Sequence, residues 1–378
     1  MSTSTSSFVS NVDATRVATY TWAEVAGQPM GVVQIAHGLA EHGERYDRFA
    51  RALNAAGFVV HAVDHRGHGR SADGRLGDFG AAGFDGLIAD VAQFGAQLRT
   101  QHAGLPLFLF AHSMGSFAAQ AAIIDHASTW SGVVLSGTTA LDMLVAAMAN
   151  APAGAPAGLE AFNAGFAQRT GYEWLSRDAA EVDAYVADPW CGWEVPQEVI
   201  GALFAPASRL ADPAQLARIR ADLPLLIASG DADPLAGGGA LVQLLAKRYR
   251  DAGLADVTLK LYPAARHEIL NETNRAEVTA DIVAWLRAHA AWARLPSGPA
   301  GVRCRLPRLV QQLAARRAQR DAAPALAIGG ALHQAGLLQR QQAQQQLRGR
   351  RAHGARELRR GRGAAGRLQH RQQHEVGP

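Results

Sequence analysis

One serine has the neighbours that a nucleophile needs. The segment AHSMG, residues 111–115, follows an apolar, strand-like run and precedes a helix-like run from Ser116 to Ile124. Small flanking residues allow a sharp turn that lifts a serine oxygen clear of a sheet, and the helix N-terminus presents N–H groups beside it. This pattern predicts Ser113 as a nucleophile, although Ala111 replaces the more common glycine. The alternative is an ordinary strand–turn–helix with a buried serine.

A serine hydroxyl needs a base, and the base needs an orienting acid. Both follow in the order serine, acid, histidine that is typical of this turn. The segment SGDADP, residues 229–234, comes after one strand-like run, and ARHE, residues 265–268, comes after the last. His267 is therefore the candidate base, and these residues alone leave Asp231 and Asp233 open as the acid.

Acyl transfer also requires N–H donors for a developing oxyanion. The backbone N–H of Met114, the residue after the serine, is one candidate. The loop after an earlier strand-like run supplies the other, the N–H of Leu39, and Gly38 lets that loop approach closely. We interpret the side chain of His37 as a structural group that fixes the loop by hydrogen bonds.

The elements that must position these residues alternate between strand and helix. Amphipathic, helix-like segments, such as Tyr46–Ala55 and Leu87–Gln101, separate short apolar runs that are too short for helices. The runs predicted as strands are Val32–Ala36, Phe58–Val63, Pro106–Phe110, Gly132–Leu135, Leu225–Ala228 and Val257–Tyr262. The alternation predicts an α/β fold with a mostly parallel sheet and helices on both faces.

The strand series is interrupted by an Ala-rich, helix-like stretch, residues 140–215, which contains Trp174, Trp190 and Trp193. An insertion of this kind predicts a helical cap over the active site. The predicted core then consists of residues 1–139 and 216–295.

Residues 296–378 differ from the rest in composition. They contain 16 Arg, no Lys and three acidic residues, a net charge of +13, whereas the remainder has 21 basic and 30 acidic residues, a net charge of −9. The segment has no Phe, Trp or Tyr, so we expect disorder. One interpretation is nucleic-acid binding through the Arg-rich tail, but the absent aromatic residues and the acidic body argue against it. The other is translation in a shifted reading frame.

The remaining composition favours a cytoplasmic protein. Two cysteines, Cys191 and Cys304, form neither a disulfide framework nor a zinc motif. The N-terminus has no signal-peptide pattern, and no apolar stretch has the length of a membrane span.

Several segments resemble one enzyme group, the monoacylglycerol lipases and lysophospholipases among the α/β hydrolases, also labelled serine aminopeptidase-like. They are HGLAEHGERYDRFA from His37, DHRGHGRS from Asp64, AHSMGS from Ala111, SGDADP from Ser229 and ARHEILNE from Ala265. The resemblance covers about residues 15–292. It implies an α/β-hydrolase fold and a serine esterase that acts on lipid-like substrates through an acyl-enzyme, with no metal or organic cofactor.

The resemblance also assigns residues. It implies Ser113 as nucleophile, His267 as base and Asp233 as acid, because the acid lies three positions after the glycine of its turn. Glu41 and Arg45 would lie at the polar end of the pocket near the substrate headgroup. Their alternative role is a salt bridge that shapes the loop. The loop with Asp64, Arg66 and His68 looks structural in the family.

The expected partner is a small lipid-like ester, with transient contact between the cap and a membrane surface. The rival enzyme class hydrolyses small soluble esters or amides. Haloalkane dehalogenases and epoxide hydrolases are disfavoured because their nucleophile is Asp, whereas this turn carries Ser113.

Overall fold

The structure, a computed structural model, describes residues 3–150 and 158–293. These residues contain a mostly parallel sheet of eight strands. The strands are β1 Ser4–Val9, β2 Arg16–Trp22, β3 Gly31–Ala36, β4 Phe58–Val63, β5 Leu107–His112, β6 Gly132–Ser136, β7 Leu225–Gly230 and β8 Val257–Tyr262. Their order in the sheet is β1-β2-β4-β3-β5-β6-β7-β8. β1 and β2 are antiparallel to their neighbours, and the other strands pair in parallel.

At β3, the chain changes the direction in which it adds successive strands to the sheet. From β3 it moves to β4 on one side and then crosses back to β5 on the other. In open α/β sheets, ligands bind beyond the carboxyl ends of the strands at such a switch point. The loops after β3 and β5 carry Leu39 and Ser113, so two predicted site residues lie where the topology favours a site.

Helices cover both faces of the sheet, as the alternating pattern predicts. The helices of the described residues are α1 Asp47–Ala55, α2 Gly83–Gln101, α3 Met114–His126, α4 Leu141–Ala149, α5 Ala179–Ala187, α6 Gln197–Phe204, α7 Ala207–Ala211, α8 Pro213–Leu216, α9 Ala240–Asp251 and α10 Arg275–Ala293. α1 and α10 bury their apolar residues in one core cluster, and α2, α3 and α9 bury theirs in another. The predicted α/β-hydrolase architecture is confirmed.

All six predicted strands are present, but the pattern missed β1 and β2. β1 reads STSSFV and is largely exposed, so it has no apolar run to signal it. β2 reads RVATYTW and mixes Thr and Arg with its apolar residues. Backbone pairing along the full length of β1 with β2 forms this edge of the sheet, and pairing leaves little trace in the sequence.

Helices α4 to α8 lie between β6 and β7, in the stretch predicted as an insertion. Apolar residues of α4, α6 and α7 join the core cluster that contains α3. The boundaries 140–215 stay a prediction, as does the role of this stretch as a cap. The predictions for residues 296–378 lie outside the described residues. No helix among the described residues combines the length and the apolar character needed to cross a membrane.

Candidate active site

Ser113 occupies a strained turn between β5 and α3. Its backbone angles are φ 50° and ψ −120°, a region that non-glycine residues rarely adopt. The Ser113 N–H donates to the Ser136 carbonyl of β6 at 2.9 Å. The Ser113 carbonyl accepts from the N–H of Ser116 at 2.8 Å and from its hydroxyl at 2.6 Å. The hydroxyl and the N–H of Ser116 therefore support the turn. A strained backbone conformation that neighbouring hydrogen bonds stabilise is typical of functional positions.

The structure pairs His267 with Asp233 rather than with Asp231. The Nδ1 atom of His267 lies 2.9 Å from Oδ2 of Asp233, and both side chains are buried. The other Asp233 oxygen accepts from the Leu235 N–H at 2.9 Å. Asp231 instead accepts the N–H of Ala264 at 2.7 Å. A proton on Nδ1 donates to the carboxylate and leaves Nε2 of His267 as the basic atom.

Charge around His267 makes it a stronger base. Burial lowers the pKa of His267, but the Asp233 carboxylate opposes this as a charge and as a hydrogen-bond acceptor. Glu268 and Glu41 add to the effect of Asp233, and the net pKa lies above the ordinary value of 6.5. The protonated imidazole is therefore favoured, as a base that accepts a serine proton requires.

The two predicted oxyanion donors flank Ser113. Leu39 follows β3 and Met114 is the first residue of α3, and both line one cavity with Ser113. Within residues 3–150 and 158–293, neither backbone N–H donates to another protein group. Both N–H groups are thus available to an oxyanion, and the role itself stays a prediction.

The loop that carries Leu39 is fixed by buried side chains on both sides. The Gly38 N–H donates to the Glu41 carboxylate, and the Ala40 N–H donates to Nε2 of His68 at 3.3 Å. Gly38 is required here, because a Cβ would lie 2.8 Å from the Glu41 carboxylate and 3.1 Å from the Ser113 Cβ. The loop therefore has little freedom to move its N–H groups.

Histidines support this loop without titrating near neutral pH. His37 Nδ1 contacts the Gly38 carbonyl at 2.7 Å, and its Nε2 accepts the His65 N–H at 2.9 Å. His68 Nδ1 contacts the Arg66 carbonyl at 2.9 Å. Burial lowers the pKa of both His37 and His68 to about 3, so both are neutral. The structural interpretation of His37 is confirmed.

The loop after β4 is structural too, as the resemblance implies. The Asp64 carboxylate accepts the hydroxyl of Tyr20 and the backbone N–H of Gly43, both at 2.8 Å. Arg66 is fully buried and bonds Asp90 at 2.9 Å and Asp13 at 2.7 Å.

Glu41 and Arg45 form the salt bridge that was the alternative to substrate binding. The Arg45 guanidinium donates a hydrogen bond of 2.6 Å to the Glu41 carboxylate. It also donates two hydrogen bonds, of 2.7 and 2.9 Å, to the Glu268 carboxylate. The three side chains border a second cleft of about 380 Å³, together with His112. Their predicted contact with a headgroup stays a prediction. Sequence reasoning missed Glu268, although it directly follows the candidate base.

An apolar cavity of about 500 Å³ opens beside Ser113. Apart from Ser113, every lining residue is apolar: Leu39, Met114, Phe117, Leu144, Met148, Leu159, Phe162, Trp174, Ile200, Leu203, Phe204 and Leu235. Eight of these twelve come from the stretch between β6 and β7. A hydrocarbon chain beside the serine would therefore be enclosed largely by that stretch.

One group of potential metal ligands occurs in the described residues. Ligand atoms of His42, Asp188 and Cys191 lie within 4.8 Å of one another, and His42 Nε2 is 2.8 Å from the Asp188 carboxylate. None of the three lines the cavity with Ser113.

Several known proteins are similar to this chain. The Hydrolase_4 family model, described as serine aminopeptidase S33, matches residues 27–274. Monoacylglycerol lipase of Mycolicibacterium smegmatis is 32% identical over 277 residues, 69% of this chain and 89% of the relative. Human monoglyceride lipase is 29% identical over 287 residues, 72% of this chain and 88% of the relative.

A solved structure is similar over the same region. A carboxyl esterase from Bacillus coagulans, in complex with glycerol, shares 28% identity at a TM-score of 0.67 and covers 77% of this chain and 99% of its own. The matched region contains the serine turn, the Asp233–His267 pair and the loop with Leu39. The chain therefore belongs to the serine aminopeptidase S33 family, within the monoacylglycerol lipase group of the α/β hydrolases.

Proposed function

We propose that the chain hydrolyses carboxylic esters that carry one lipid-like acyl chain, of the monoacylglycerol type, through an acyl-enzyme. The observation that carries this proposal is the buried pair of His267 and Asp233, 2.9 Å apart, whose imidazole contacts Trp174, a residue that lines the same cavity as Ser113. Membership of the monoacylglycerol lipase group supports the reaction class. The apolar cavity next to Ser113 supports an acyl chain as the part of the substrate that is bound.

In this mechanism, Ser113 Oγ attacks the ester carbonyl while Nε2 of His267 takes its proton. Asp233 stabilises the imidazolium, and the N–H groups of Leu39 and Met114 hold the oxyanion. His267 then gives the proton to the leaving alcohol as the C–O bond breaks. A water molecule, deprotonated by His267, then attacks the acyl-enzyme. The bond between the acyl carbon and Ser113 Oγ breaks, His267 returns the proton to Oγ, and the fatty acid leaves.

The headgroup side of the substrate is the finer part of the proposal. The cleft with Glu41, Arg45 and Glu268 offers hydrogen-bond acceptors close to His112, and the guanidinium groups of Arg45 and Arg48 both line it. A glycerol hydroxyl pair suits such groups. The phosphate of a lysophospholipid is disfavoured, because Arg45 already pairs with Glu41 and Glu268 and Arg48 already pairs with Glu181. Small soluble esters would leave most of the apolar cavity empty.

Contact with a membrane surface belongs to the same proposal. Met143 on α4 and Val186 on α5 are large apolar side chains that are 41% and 48% exposed, both in the stretch between β6 and β7. A substrate with a long acyl chain resides in lipid, so exposed apolar residues on this stretch favour transient contact. Flotation of the protein with phosphatidylcholine vesicles measures this contact with a membrane. Location in the cytoplasm stays a prediction from the sequence.

The decisive experiment compares Ser113→Ala with Ser128→Ala. We expect Ser113→Ala to lose fluorophosphonate labelling and to reduce kcat for monoacylglycerol by on the order of 10³-fold or more. Ser128 lies on the surface after α3, so its variant should behave as the unmodified chain. A folded Ser113→Ala protein, judged by circular dichroism, that kept near-normal turnover would contradict the mechanism.

A substrate panel separates the remaining classes. We expect kcat/KM to be higher for monoacylglycerols with medium or long chains than for lysophosphatidylcholine or p-nitrophenyl acetate. A preference for the acetate would favour the small-ester class, and a preference for lysophosphatidylcholine would contradict the headgroup assignment.

A further inference from the structure

Trp174 is the tryptophan of the β6–β7 stretch that contacts the candidate base. The residue is 4% exposed, and the centroid of its indole ring lies 4.7 Å from that of the His267 imidazole, with the planes tilted by 39°. Phe162 packs against the same indole at 5.2 Å. Trp174 also lines the cavity that contains Ser113. The ring thus lies between the acyl cavity and the imidazole.

Backbone hydrogen bonds fix this contact independently of the ring. The His267 N–H donates to the Trp174 carbonyl at 3.3 Å, and the Glu268 N–H donates to the Leu175 carbonyl at 2.8 Å. The Trp174 N–H donates to the Asn163 side chain at 2.9 Å. A substitution of the side chain keeps all three bonds, so it tests the ring rather than the loop.

The indole N–H of Trp174 lacks a hydrogen-bond partner among the described residues, which raises the question of why an indole occupies this position. Within the described part of the chain, Nε1 of Trp174 is buried and has no hydrogen-bond partner. An unsatisfied buried donor is destabilising, and a phenylalanine would fill much of the same space without it. Among aromatic rings, however, indole has the face that attracts cations most strongly. The cation it could meet here is the imidazolium of His267.

We propose that Trp174 is a positioning residue whose indole face holds the His267 imidazole in place and stabilises its protonated form during acyl transfer. The inference rests on the proposed function, in which His267 takes the Ser113 proton. A ring at this distance falls within the range of cation–π attraction, and enclosure of the site strengthens the effect. The stretch between β6 and β7 would thereby contribute to the reaction itself as well as to enclosing the acyl chain.

Other groups also face the imidazole and set its charge. They are Asp233 after β7, Glu268 on its own loop, Glu41 after β3 with Arg45 beside it, and His112 at the end of β5, whose ring centroid is 4.8 Å away. Burial lowers the pKa of His112 to about 4, so His112 is neutral where the enzyme would work. The carboxylates and the indole therefore act in the same direction.

The experiment compares Trp174→Leu and Trp174→Phe by the pH dependence of kcat/KM for a monoacylglycerol. The leucine variant keeps the site apolar but removes the aromatic ring. The phenylalanine variant keeps a ring whose face attracts cations less strongly than that of indole. We expect the acidic limb of the pH profile to move to lower pH, by about half a unit in Trp174→Phe and by about one unit in Trp174→Leu. kcat on the plateau should fall about three- to tenfold in Leu, with a smaller change in KM.

Phe162→Leu is the matched control. It removes a ring that contacts Trp174 and lines the same cavity, but no ring contact joins Phe162 to His267 among the described residues. We expect its KM to change and its acidic limb to stay in place. An acidic limb that is unchanged in both Trp174 variants, or that moves equally in Phe162→Leu, would overturn the inference.

A second measurement covers the case in which Trp174→Leu does not fold. The imidazole of His267 is titrated by NMR in the unmodified chain and in Trp174→Phe, and the pKa is expected to be lower in the variant. Equal values would overturn the role of Trp174. The outcome of Ser113→Ala is independent of these results, so a failure of the proposed function is recognised separately.

Discussion

At the scale of single residues, the candidate base is controlled by buried charge. His267 must be neutral to accept the serine proton, and its pKa lies above 6.5 because the carboxylates outweigh the effect of burial. In the free enzyme, kcat/KM should therefore fall as the pH drops through this raised pKa, with activity retained above it.

A pH profile of kcat/KM checks this expectation. We expect an acidic limb with an apparent pKa above the ordinary histidine value, and Asp233→Asn should move what remains of that limb to lower pH. The direction follows because removal of the carboxylate charge destabilises the imidazolium. A limb well below pH 6 in the unmodified chain would show that burial dominates instead.

The choice between the two acids gives a second prediction at this scale. Asp233→Asn should reduce kcat by on the order of 10³- to 10⁴-fold, because an amide in place of the carboxylate no longer holds the Nδ1–H tautomer of His267. Asp231→Asn keeps an oxygen that can accept the Ala264 N–H, so its kcat should stay within a few-fold of the unmodified value. Measured kcat values for the two folded variants decide the assignment, and a more damaging Asp231→Asn would reverse it.

At the scale of elements, the serine turn depends on close packing between α3 and β3. A Cβ on Gly115 would lie 2.4 Å from the Ala36 carbonyl oxygen and 2.5 Å from that of His37. Both atoms belong to the backbone and cannot rotate away. The helix that follows Ser113 can therefore approach the sheet only because Gly115 has no side chain.

We predict that Gly115→Ala lowers the free energy of unfolding by roughly 1–3 kcal/mol, because α3 must shift away from the strand. Activity should fall further than stability alone explains, since the shift moves both Ser113 and the Met114 N–H. Gly201→Ala on the exposed face of α6 is the control, because nothing lies within 4 Å of its added Cβ. Urea unfolding and kcat/KM measure both, and equal stability of the two variants would contradict the packing argument.

The sequence predicted the elements that have a strong local signal. β5, the serine turn and α3 follow one another with an apolar run, small residues and a helical stretch, so they could be located without the fold. β1 lacks an apolar run, and its place depends on pairing with β2. The contact of Trp174 with His267 joins residues 93 positions apart in the sequence, and no local pattern reports it.

At the scale of the whole molecule, parallel strands bring the candidate site together. Leu39, Ser113, Asp233 and His267 follow β3, β5, β7 and β8, which belong to the run of five parallel strands β3-β5-β6-β7-β8. The order of serine, acid and histidine along the chain could be anticipated from the type of turn around Ser113. The salt bridge of Glu41 with Arg45 was one of the two roles that the sequence left open. The pairing of Arg45 with Glu268 could not be anticipated, because the two residues are 223 positions apart and no local pattern joins them.

Buried histidines make the stability of the molecule sensitive to acid. Burial lowers the pKa of His37, His61 and His68 to about 3 and that of His112 to about 4, against 6.5 for an ordinary histidine. The unfolded chain therefore binds more protons than the folded chain between about pH 6.5 and 3–4. Stability is fully present above pH 6.5 and is lost as the pH falls through this window. His267, with its raised pKa, acts in the opposite direction but is a single group.

We predict that the free energy of unfolding falls steeply between pH 7.5 and 5.0, by up to about 2 kcal/mol for each such histidine. A loss of this size from several groups is comparable with the whole stability of a typical domain, about 5–15 kcal/mol. His61→Gln separates this effect from catalysis, because His61 lies in β4, contacts Thr21 and His102, and does not line the cavity.

That variant should be less stable than the unmodified chain at pH 7.5, since its hydrogen bonds are imperfectly replaced, yet it should lose less stability on acidification. The slope of the unfolding free energy against pH, from urea titrations, should be smaller by up to about one bound proton. Equal slopes in the two proteins would mean that His61 does not titrate on unfolding. Equal stability of the unmodified chain at pH 7.5 and 5.0 would mean that the buried histidines as a group do not control its response to acid.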